Sequence, residues 1–161
     1  MTRSKGTEDT PLIERVSDKY LVRWDKKELE GEITFKEIEF PYKPTIDTIK
    51  EVILGVENSD IDLKILSGFV WNDMPVWLSS ENQFNYKAAY DLAVQTSGSN
   101  LPVTFKFGDI KNPMYHKFET IEDLQDFYMK AMIHVNSVLS EGWTSKDSIE
   151  WEEYEKILET L

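Results

Sequence analysis

His116 and His134 are the only imidazole side chains in this chain of 161 residues, so they are the first candidates for acid–base or metal chemistry. A zinc site needs three or four ligands at close range, and no third ligand stands at a recognisable spacing from this pair. The alternative interpretation places His116, partly buried, on the inner face of a strand and His134 on the flank of a helix. The sequence favours this structural role over metal binding.

Serine nucleophiles and paired carboxylates are the other side chains that could support catalysis. The serines in SSEN and TSGS lack a surrounding G-x-S-x-G motif, and a loop or capping role accounts for each of them. Glu122 and Asp123 are adjacent, so on a helix their carboxylates diverge by about 100° and cannot converge on one bond. The absence of cysteine excludes thiolate nucleophiles, thiolate metal sites and disulfides. The sequence therefore predicts a protein that is not an enzyme and holds no metal or cofactor.

The charge balance narrows the classes of partner. Eighteen basic and 30 acidic residues give a net charge of −12. Such a charge opposes binding to a phosphate backbone or to an anionic lipid surface. No segment approaches the ~20 apolar residues that span a bilayer, and the N-terminus lacks the apolar run of a signal peptide. We therefore expect a soluble protein that binds neither nucleic acid nor membrane.

The elements that would position any site repeat one local plan, an aromatic hairpin followed by a capped helix. The first copy has the strands KYLVRWD and GEITFKEIEF before a helix capped by Thr45. The second has FVW and PVWL on either side of a turn at NDM, before a helix that starts at Ser80. The third has LPVTFKFG and PMYHKFE before a helix capped by Thr120. Hairpins supply antiparallel strands, and each helix has one apolar stripe to bury. The predicted fold class is α+β, with repeated strand-strand-helix units in which an antiparallel, hairpin-built sheet carries its helices mainly on one face.

Two features of the first strand-strand-helix repeat lead to separate predictions. In ITFKEIEF the apolar alternation slips between Lys36 and Glu37, and a β-bulge there would restore a single apolar face. After the helix that follows Thr45, the segment SDIDLKILSG favours a second short helix capped by Ser59 and closed by Gly68. The alternation of its apolar residues leaves a strand open as the alternative.

The second and third helices have predicted ends and faces. Ser80 with Gln83 three residues later matches a capping box, and Phe84, Ala88 and Leu92 form the apolar stripe that we expect to be buried, flanked by further aromatic and small residues. The helix after Thr120 is predicted to stop at Gly142.

The predicted organisation has three parts. Residues 1–17 form a flexible N-terminal arm, residues 18–143 form a single α+β domain, and residues 144–161 form an acidic C-terminal helix packed on the domain or on a partner. The arm is too poor in apolar residues for a core of its own, so we expect Leu12, Ile13 and Val16 to become ordered against another subunit. These three residues are candidate partner-binding residues.

The tryptophans supply the remaining candidates. Trp71 and Trp77 flank the NDMP turn, where they could complete the core, contact a partner or stack on a sugar ring, and the sequence leaves these options open. In the last helix, Trp151 and Tyr154 offer a packing face, and the neighbouring acids would favour a basic surface on a partner. The candidate partner-binding residues of this helix are Trp151, Glu152, Glu153 and Tyr154.

One long segment resembles a known group of proteins. MPVWLSSENQFNYKAAYDLAVQTSGSNLPVTFKFGD, continuing through NPMYHKFETIEDLQDFYMKAMIHVNSVLSEGW, is similar to small uncharacterised proteins of tailed phages and prophages of gut Bacteroidota. It also resembles, more loosely, a domain of unknown function found beside phage tail-fibre proteins. The resemblance covers about half of the chain, and its marks are the ENQFNYK helix start and the LPVTFKFG strand.

The resemblance implies a function and a place for it. It implies a non-enzymatic virion structural accessory protein, a head-, neck- or tail-associated adaptor or fibre-attachment component that is made in the host bacterial cytoplasm. The expected partners are other virion proteins, with a homo-oligomer left open. The alternative is a receptor- or glycan-binding module of a fibre, contacting its ligand through Trp71 and Trp77. The resemblance carries over no catalytic or cofactor-binding residue.

Overall fold

The hairpins and helices of the repeated plan are present, with further strands before them. The computed structural model describes residues 3–161; Met1 and Thr2, the first residues of the predicted arm, lie outside the described residues. In chain order the elements are β1 (Arg3–Gly6), β2 (Ile13–Val16), β3 (Lys19–Leu29), β4 (Glu32–Phe40), α1 (Ile46–Ser67), β5 (Phe69–Trp71), β6 (Met74–Val76), α2 (Ser80–Gln95), β7 (Val103–Gly108), β8 (Pro113–Phe118), α3 (Ile121–Asp147) and α4 (Trp151–Thr160). The predicted α+β class, built from antiparallel hairpins, is confirmed.

These elements divide into two compact units where the sequence predicts a single domain. Among the described residues, unit 1 comprises residues 3–60 and 142–161, and unit 2 comprises residues 61–141. The strands form three separate sheets: a four-stranded sheet in the order β1-β4-β3-β2 in unit 1, and the two hairpins β5-β6 and β7-β8 in unit 2. Each unit has its own cluster of buried apolar residues.

The predicted flexible arm is wrong for the residues that the structure describes. Strand β1 pairs with β4, and β2 pairs with β3 in the register Ile13↔Val22. Ile13 is buried with Val22 and Trp24 in the core of unit 1. The physical reason is that Ile13 alone supplies the strand's buried side chain, so a segment poor in apolar residues is still held by backbone pairing.

The parity slip in β4 has a different cause from the predicted bulge. Lys36 and Glu37 of β4 pair regularly with Trp24 and Arg23 of β3, and the register irregularity lies in β3, between Trp24 and Lys27. Phe35 and Ile38 therefore lie on opposite faces of the sheet. Phe35 is buried beside Gly6, whose missing Cβ leaves room for the ring, whereas Ile38 packs on the core cluster of unit 1. Strand β4 therefore has an apolar residue on each face, because Phe35 on one face and Ile38 on the other both pack against other parts of unit 1.

The helical part of unit 1 encloses the other side of this core. Ile49 and Ile53 of α1 are fully buried with the β3 residues, and Tyr154 of α4 joins them. Thr45 caps α1 as predicted, because its hydroxyl accepts a hydrogen bond from the backbone N–H of Thr48 at 3.2 Å.

Helices α1 and α3 are both longer than predicted. Residues 59–67 continue α1 without a break, so the helical interpretation of this segment is right and the separate helix capped by Ser59 is wrong. Helix α3 passes through Gly142, which is buried, and ends at Asp147. A glycine costs a helix interior only about 1 kcal/mol, which packing can offset. The predicted C-terminal helix of residues 144–161 is therefore divided between the end of α3 and α4.

Unit 2 is built around an aromatic cluster. Phe127 of α3 is fully buried, and its ring centroid lies 5.3 Å from Trp71, 4.9 Å from Tyr86 and 5.1 Å from Phe107. These rings come from β5, α2 and β7, so one phenylalanine ties together both hairpins and two helices. Thr120 caps α3 as predicted, by accepting from the N–H of Asp123 at 3.2 Å.

Two turns of unit 2 depend on left-handed backbone. Asn72 and Asp73 join β5 to β6, and both have positive φ, which this pair of residue types tolerates well. Gly108 also has positive φ, and a Cβ there would overlap the carbonyl oxygen of Asn112. The turn predicted over NDMP is therefore present but shorter, because Met74 and Pro75 belong to β6.

Candidate functional site

A group of titratable side chains lies inside unit 1, between β4 and α1. Lys36 Nζ is 2.7 Å from a carboxylate oxygen of Glu57 and 2.7 Å from one of Asp60. The indole N–H of Trp24 donates to Glu57 at 2.7 Å. Burial by itself would lower the pKa of Lys36, but the hydrogen bonds that its ammonium donates to Asp60 and Glu57 outweigh burial and raise that pKa. Each charge has a partner, so the group acts as an internal brace of the fold.

A second ionic group extends this brace to the first strand. Arg3 donates to Asp25 Oδ2 at 2.7 Å and to the hydroxyl of Thr34 at 2.9 Å. Burial would raise the pKa of Asp25, yet hydrogen bonds from Lys27 and Arg3 lower it below its ordinary value. The first strand of the chain is thus tied to β3 and β4 by charge as well as by backbone pairing.

The two histidines are not gathered into one site. His116 lies 2.8 Å from Asp123, measured from Nε2 to Oδ2, and its ring packs edge-on against Trp71. His134 donates from Nε2 to the backbone carbonyl of Lys64 at 3.0 Å. Both are part-buried, as the structural interpretation expected. Within residues 3–161, no three His, Cys, Asp or Glu side chains form a group able to hold a metal ion.

The candidate residues of the predicted arm do not form one exposed surface. Ile13 is buried, Leu12 is partly buried against the unit 1 core, and Val16 is exposed at the end of β2. The arm residues thus become ordered against the chain's own sheet, where another subunit was expected.

The tryptophan pair of the β5-β6 hairpin is split between core and surface. Trp71 is only 2% exposed, and its indole N–H donates to Asp126 at 3.0 Å. Trp77, one position past β6, is 51% exposed. Because successive side chains of a strand alternate between faces, Trp77 follows the outward parity and Trp71 the inward one. A ligand stacked between the two indoles is therefore incompatible with this hairpin.

The C-terminal candidates belong to a helix that is anchored from beneath. Tyr154 is buried and donates its hydroxyl hydrogen to the carbonyl oxygen of Arg23 at 2.7 Å, and burial raises its pKa. Trp151 packs beside it, with ring centroids 5.8 Å apart. Glu152 and Glu153 are exposed. Helix α4 thus packs on its own unit through one face and presents acids on the other.

Clefts border this acidic face. One, of about 310 Å³, has Trp24 and Tyr154 in its wall with Glu150 and Glu153 among its charged lining. A second, of about 430 Å³, shares Glu153 and extends to the loop that contains Glu8 and Asp9, where Lys156 is the basic lining residue. Acidic side chains therefore line both clefts beside α4.

The sequence interpretation missed an exposed apolar stripe on α2. The predicted cap of α2, Ser80, is wrong by one residue: Ser79 is the cap, its hydroxyl accepts from the N–H of Asn82 at 3.2 Å, and Ser80 is the first residue of the helix. The helix buries Tyr86 and Ala93, and the stripe predicted to be buried faces solvent instead: Phe84 is 70% exposed and Leu92 48% exposed. We define Phe84, Ala88 and Leu92 as the α2 face.

The signal for this correction was present in the sequence. Tyr86, Ala89, Tyr90 and Ala93 also repeat at helical spacing, and the large rings of the two tyrosines made this stripe an equal candidate for the core. In the structure Tyr86 lies 4.7 Å from Phe105 and Tyr90 stacks on Tyr128 at 5.2 Å, measured between ring centroids. Periodicity located the helix and left its rotation open.

Comparisons with protein-family models, curated proteins and solved structures give no significant match. Across residues 3–161, none of the helices combines the length and apolar character needed to cross a membrane.

Proposed function

We propose that this chain is a non-enzymatic accessory protein of a bacteriophage virion, a head-, neck- or tail-associated adaptor that binds other virion proteins through the acidic face of α4. The observation that carries the contact role is the arrangement of α4 itself. Its buried Tyr154 fixes the helix, while Glu152 and Glu153 stay exposed, and the ion pairs among residues 3–161 include neither of them. The phage assignment comes from the resemblance of the segment containing ENQFNYK and LPVTFKFG.

An anchored acidic helix suits a partner with a basic surface. Because α4 is already packed, little conformational entropy is lost when it binds. Adjacent carboxylates repel one another, and a basic partner would relieve that repulsion. Lys50 already neutralises Glu155, with 3.3 Å between its Nζ and the carboxylate. Glu152 and Glu153 are left to pair with the partner.

The test reverses this charge and counts the protein in particles. Glu152→Lys with Glu153→Lys should reduce incorporation into virions by roughly tenfold, measured as copy number per particle by quantitative mass spectrometry. The melting temperature should be unchanged, since both side chains are exposed. The matched control reverses two exposed acids of the same unit, Glu28→Lys with Glu51→Lys.

The proposal predicts a specific pattern of results. Wild-type and control proteins should be retained at a fixed copy number, and raised salt should release them, because screening shortens the range of surface charge to a few ångströms at ~1 M. Equal incorporation of the α4 variant and the control would overturn the role of α4. Absence of the wild-type protein from purified particles would overturn the virion role.

A second candidate function is the receptor- or glycan-binding module of a fibre, and the exposure of Trp77 favours it. With Trp71 in the core, such a site would have to be built around Trp77 alone. Trp77→Ala should then abolish retention on immobilised glycans while Val70→Ala, a comparably exposed change on the same hairpin, leaves it intact.

A further inference from the structure

The α2 face is self-complementary in shape. Phe84 and Leu92 lie about 12 Å apart along the helix, on either side of Ala88. The small central side chain allows a second helix to approach closely at that point, and the large side chains at the ends can then pack beside their counterparts. Single exposed apolar residues are ordinary, but three on one helical stripe form a continuous strip.

The charges around the strip are also self-complementary, but only for an antiparallel copy. A two-fold axis at Ala88 puts Lys87 of one chain on the same side of the interface as Asp91 of the other, within about 3 Å along the axis. This opposite-charge approach occurs twice, whereas the approach of Lys87 to Lys87 of the copy, at a similar separation, occurs once. Lys87 and Asp91 already form an ion pair within one helix. The same axis places Glu81 opposite Gln95, whereas a parallel arrangement would place Glu81 opposite Glu81 and Asp91 opposite Asp91.

We propose that two copies of this chain associate through their α2 faces, as an antiparallel helix pair crossing at Ala88. The occupant is a second copy because shape and charge match under one symmetry operation, which is the requirement for an isologous interface. One helix face buries less than the ~800 Å² per partner of a standard interface, so the dimer is a weak one, in the micromolar range. The proposal is independent of the virion role, since it concerns the purified chain alone.

The first experiment measures the dimer by sedimentation velocity over a range of concentrations. Phe84→Asp should raise the dimer dissociation constant by at least about tenfold, with an unchanged melting temperature because Phe84 is exposed. The matched control is Ile133→Asp on α3, which removes an apolar side chain that is 60% exposed in the same unit. A wild-type protein that stays monomeric at every concentration, or a control that dissociates as readily as Phe84→Asp, overturns the proposal.

The second experiment tests the antiparallel geometry. The chain has no cysteine, so a single introduced thiol reports one position. At the crossing of two helices in close contact, facing Cα atoms are near enough for a disulfide, so Ala88→Cys should form a covalent dimer under oxidation much faster than Ile133→Cys. Glu81→Cys and Gln95→Cys should each stay monomeric alone and crosslink when mixed. Rapid self-crosslinking of Glu81→Cys would show parallel pairing and overturn the arrangement.

The third experiment exchanges the charges. Lys87→Asp and Asp91→Lys should each weaken the dimer, because each places like charges side by side across the interface. The double exchange restores opposite charges and should recover the wild-type dissociation constant to within about twofold. If the double variant does not recover the wild-type dissociation constant, the charges do not match across the interface, and the argument for a second copy as the partner fails.

Discussion

Unit 2 is assembled from neighbouring segments, whereas unit 1 joins both ends of the chain. In unit 2 each hairpin is followed directly by a helix, and Phe127 contacts rings from all parts of the core. In unit 1 the sheet needs β1 and β2 from the N-terminus, and its core needs Tyr154 from α4, 131 residues from its hydrogen-bond partner Arg23. Local patterns are therefore sufficient to describe unit 2, and non-local pairing decides unit 1.

The two cores also differ in chemistry. Unit 2 has an aromatic interior, in which Trp71 makes its polar contact at the edge, to Asp126. Unit 1 has an ionic brace inside it, where Lys36 links β4 to Glu57 and Asp60 of α1. A buried ion pair gives little net stability, but it penalises wrong registers because a displaced strand would leave a charge without its partner. We therefore expect charge to contribute to the register of unit 1 beside its apolar cluster, whereas the core of unit 2 depends on packing.

The largest effect is expected from removing the first 16 residues. The deletion eliminates β1 and β2, together with buried Ile13 and the Arg3–Asp25 ion pair, so we expect unit 1 to lose its cooperative fold. Hydrogen exchange should show loss of amide protection in β3 and β4. Protection in β7 and β8 should persist, because the core of unit 2 contains none of the deleted residues. Unchanged protection in β3 and β4 would show that the sheet is complete without its outer strands.

Truncation of the central aromatic ring should have the next largest effect. Phe127→Ala removes a fully buried side chain at the centre of unit 2 and should lower the free energy of unfolding by about 3–5 kcal/mol. Phe84→Ala, the same chemical change at a 70% exposed position, should lower it by less than about 0.5 kcal/mol. Urea denaturation of the two variants measures the difference. Similar losses for both would mean that α2 buries the stripe originally predicted from the sequence.

The ionic brace of unit 1 predicts a moderate effect. Lys36→Ala leaves Glu57, a buried carboxylate, without its ammonium partner and should cost roughly 2–3 kcal/mol. The matched control is Lys19→Ala on β3, whose ion pair with Glu39 is half exposed and should contribute less than about 0.5 kcal/mol. Equal costs for the two lysines, measured by urea denaturation, would show that burial adds nothing to the brace.

Asp25 makes the stability of unit 1 depend on pH. Its pKa in the folded protein lies below the ordinary value of 3.8, so the unfolded chain binds the proton more readily. The stabilisation is therefore fully present above that ordinary value and is lost as the pH falls through the lower, folded pKa. Asp25→Asn should cost about 1–2 kcal/mol at neutral pH and flatten the acid limb of stability against pH. If the stability of Asp25→Asn falls as steeply in acid as that of the wild type, other carboxylates cause the pH dependence.

The residues that were misplaced from sequence share one physical cause. Turn and cap chemistry is local, so Thr45, Thr120 and the Asn72–Asp73 turn could be predicted from a few neighbouring residues. The rotation of α2 is not local, because it depends on which side chains Phe105 and Tyr128 meet across the unit.

Dependence on non-local contacts also explains why the N-terminal strands were not predicted and why Trp71 and Trp77 could not be assigned to core or surface. Ile13 alone carries the apolar signal of β2, and its burial depends on pairing with Val22. Among the contact candidates, the exposure of Glu152 and Glu153 followed from their charge. Trp71 and Trp77 could be separated only by knowing which face of the hairpin meets Phe107.

The two threonine caps give the smallest and most closely matched comparison of the units. Thr45 of unit 1 caps α1 and Thr120 of unit 2 caps α3, and each hydroxyl accepts a hydrogen bond from a backbone N–H at 3.2 Å. Because the geometry is the same, replacing either by alanine should cost about 1 kcal/mol, and replacement by serine should restore most of it. Hydrogen exchange of the first turn of each helix measures the local loss.

If each unit unfolds cooperatively by itself, Thr45→Ala should also lower amide protection in β3 and leave β7 unchanged, and Thr120→Ala should lower it in β7 and leave β3 unchanged. Equal loss of protection in both strands from either variant would show that α1 and α3 couple the units into one folding unit.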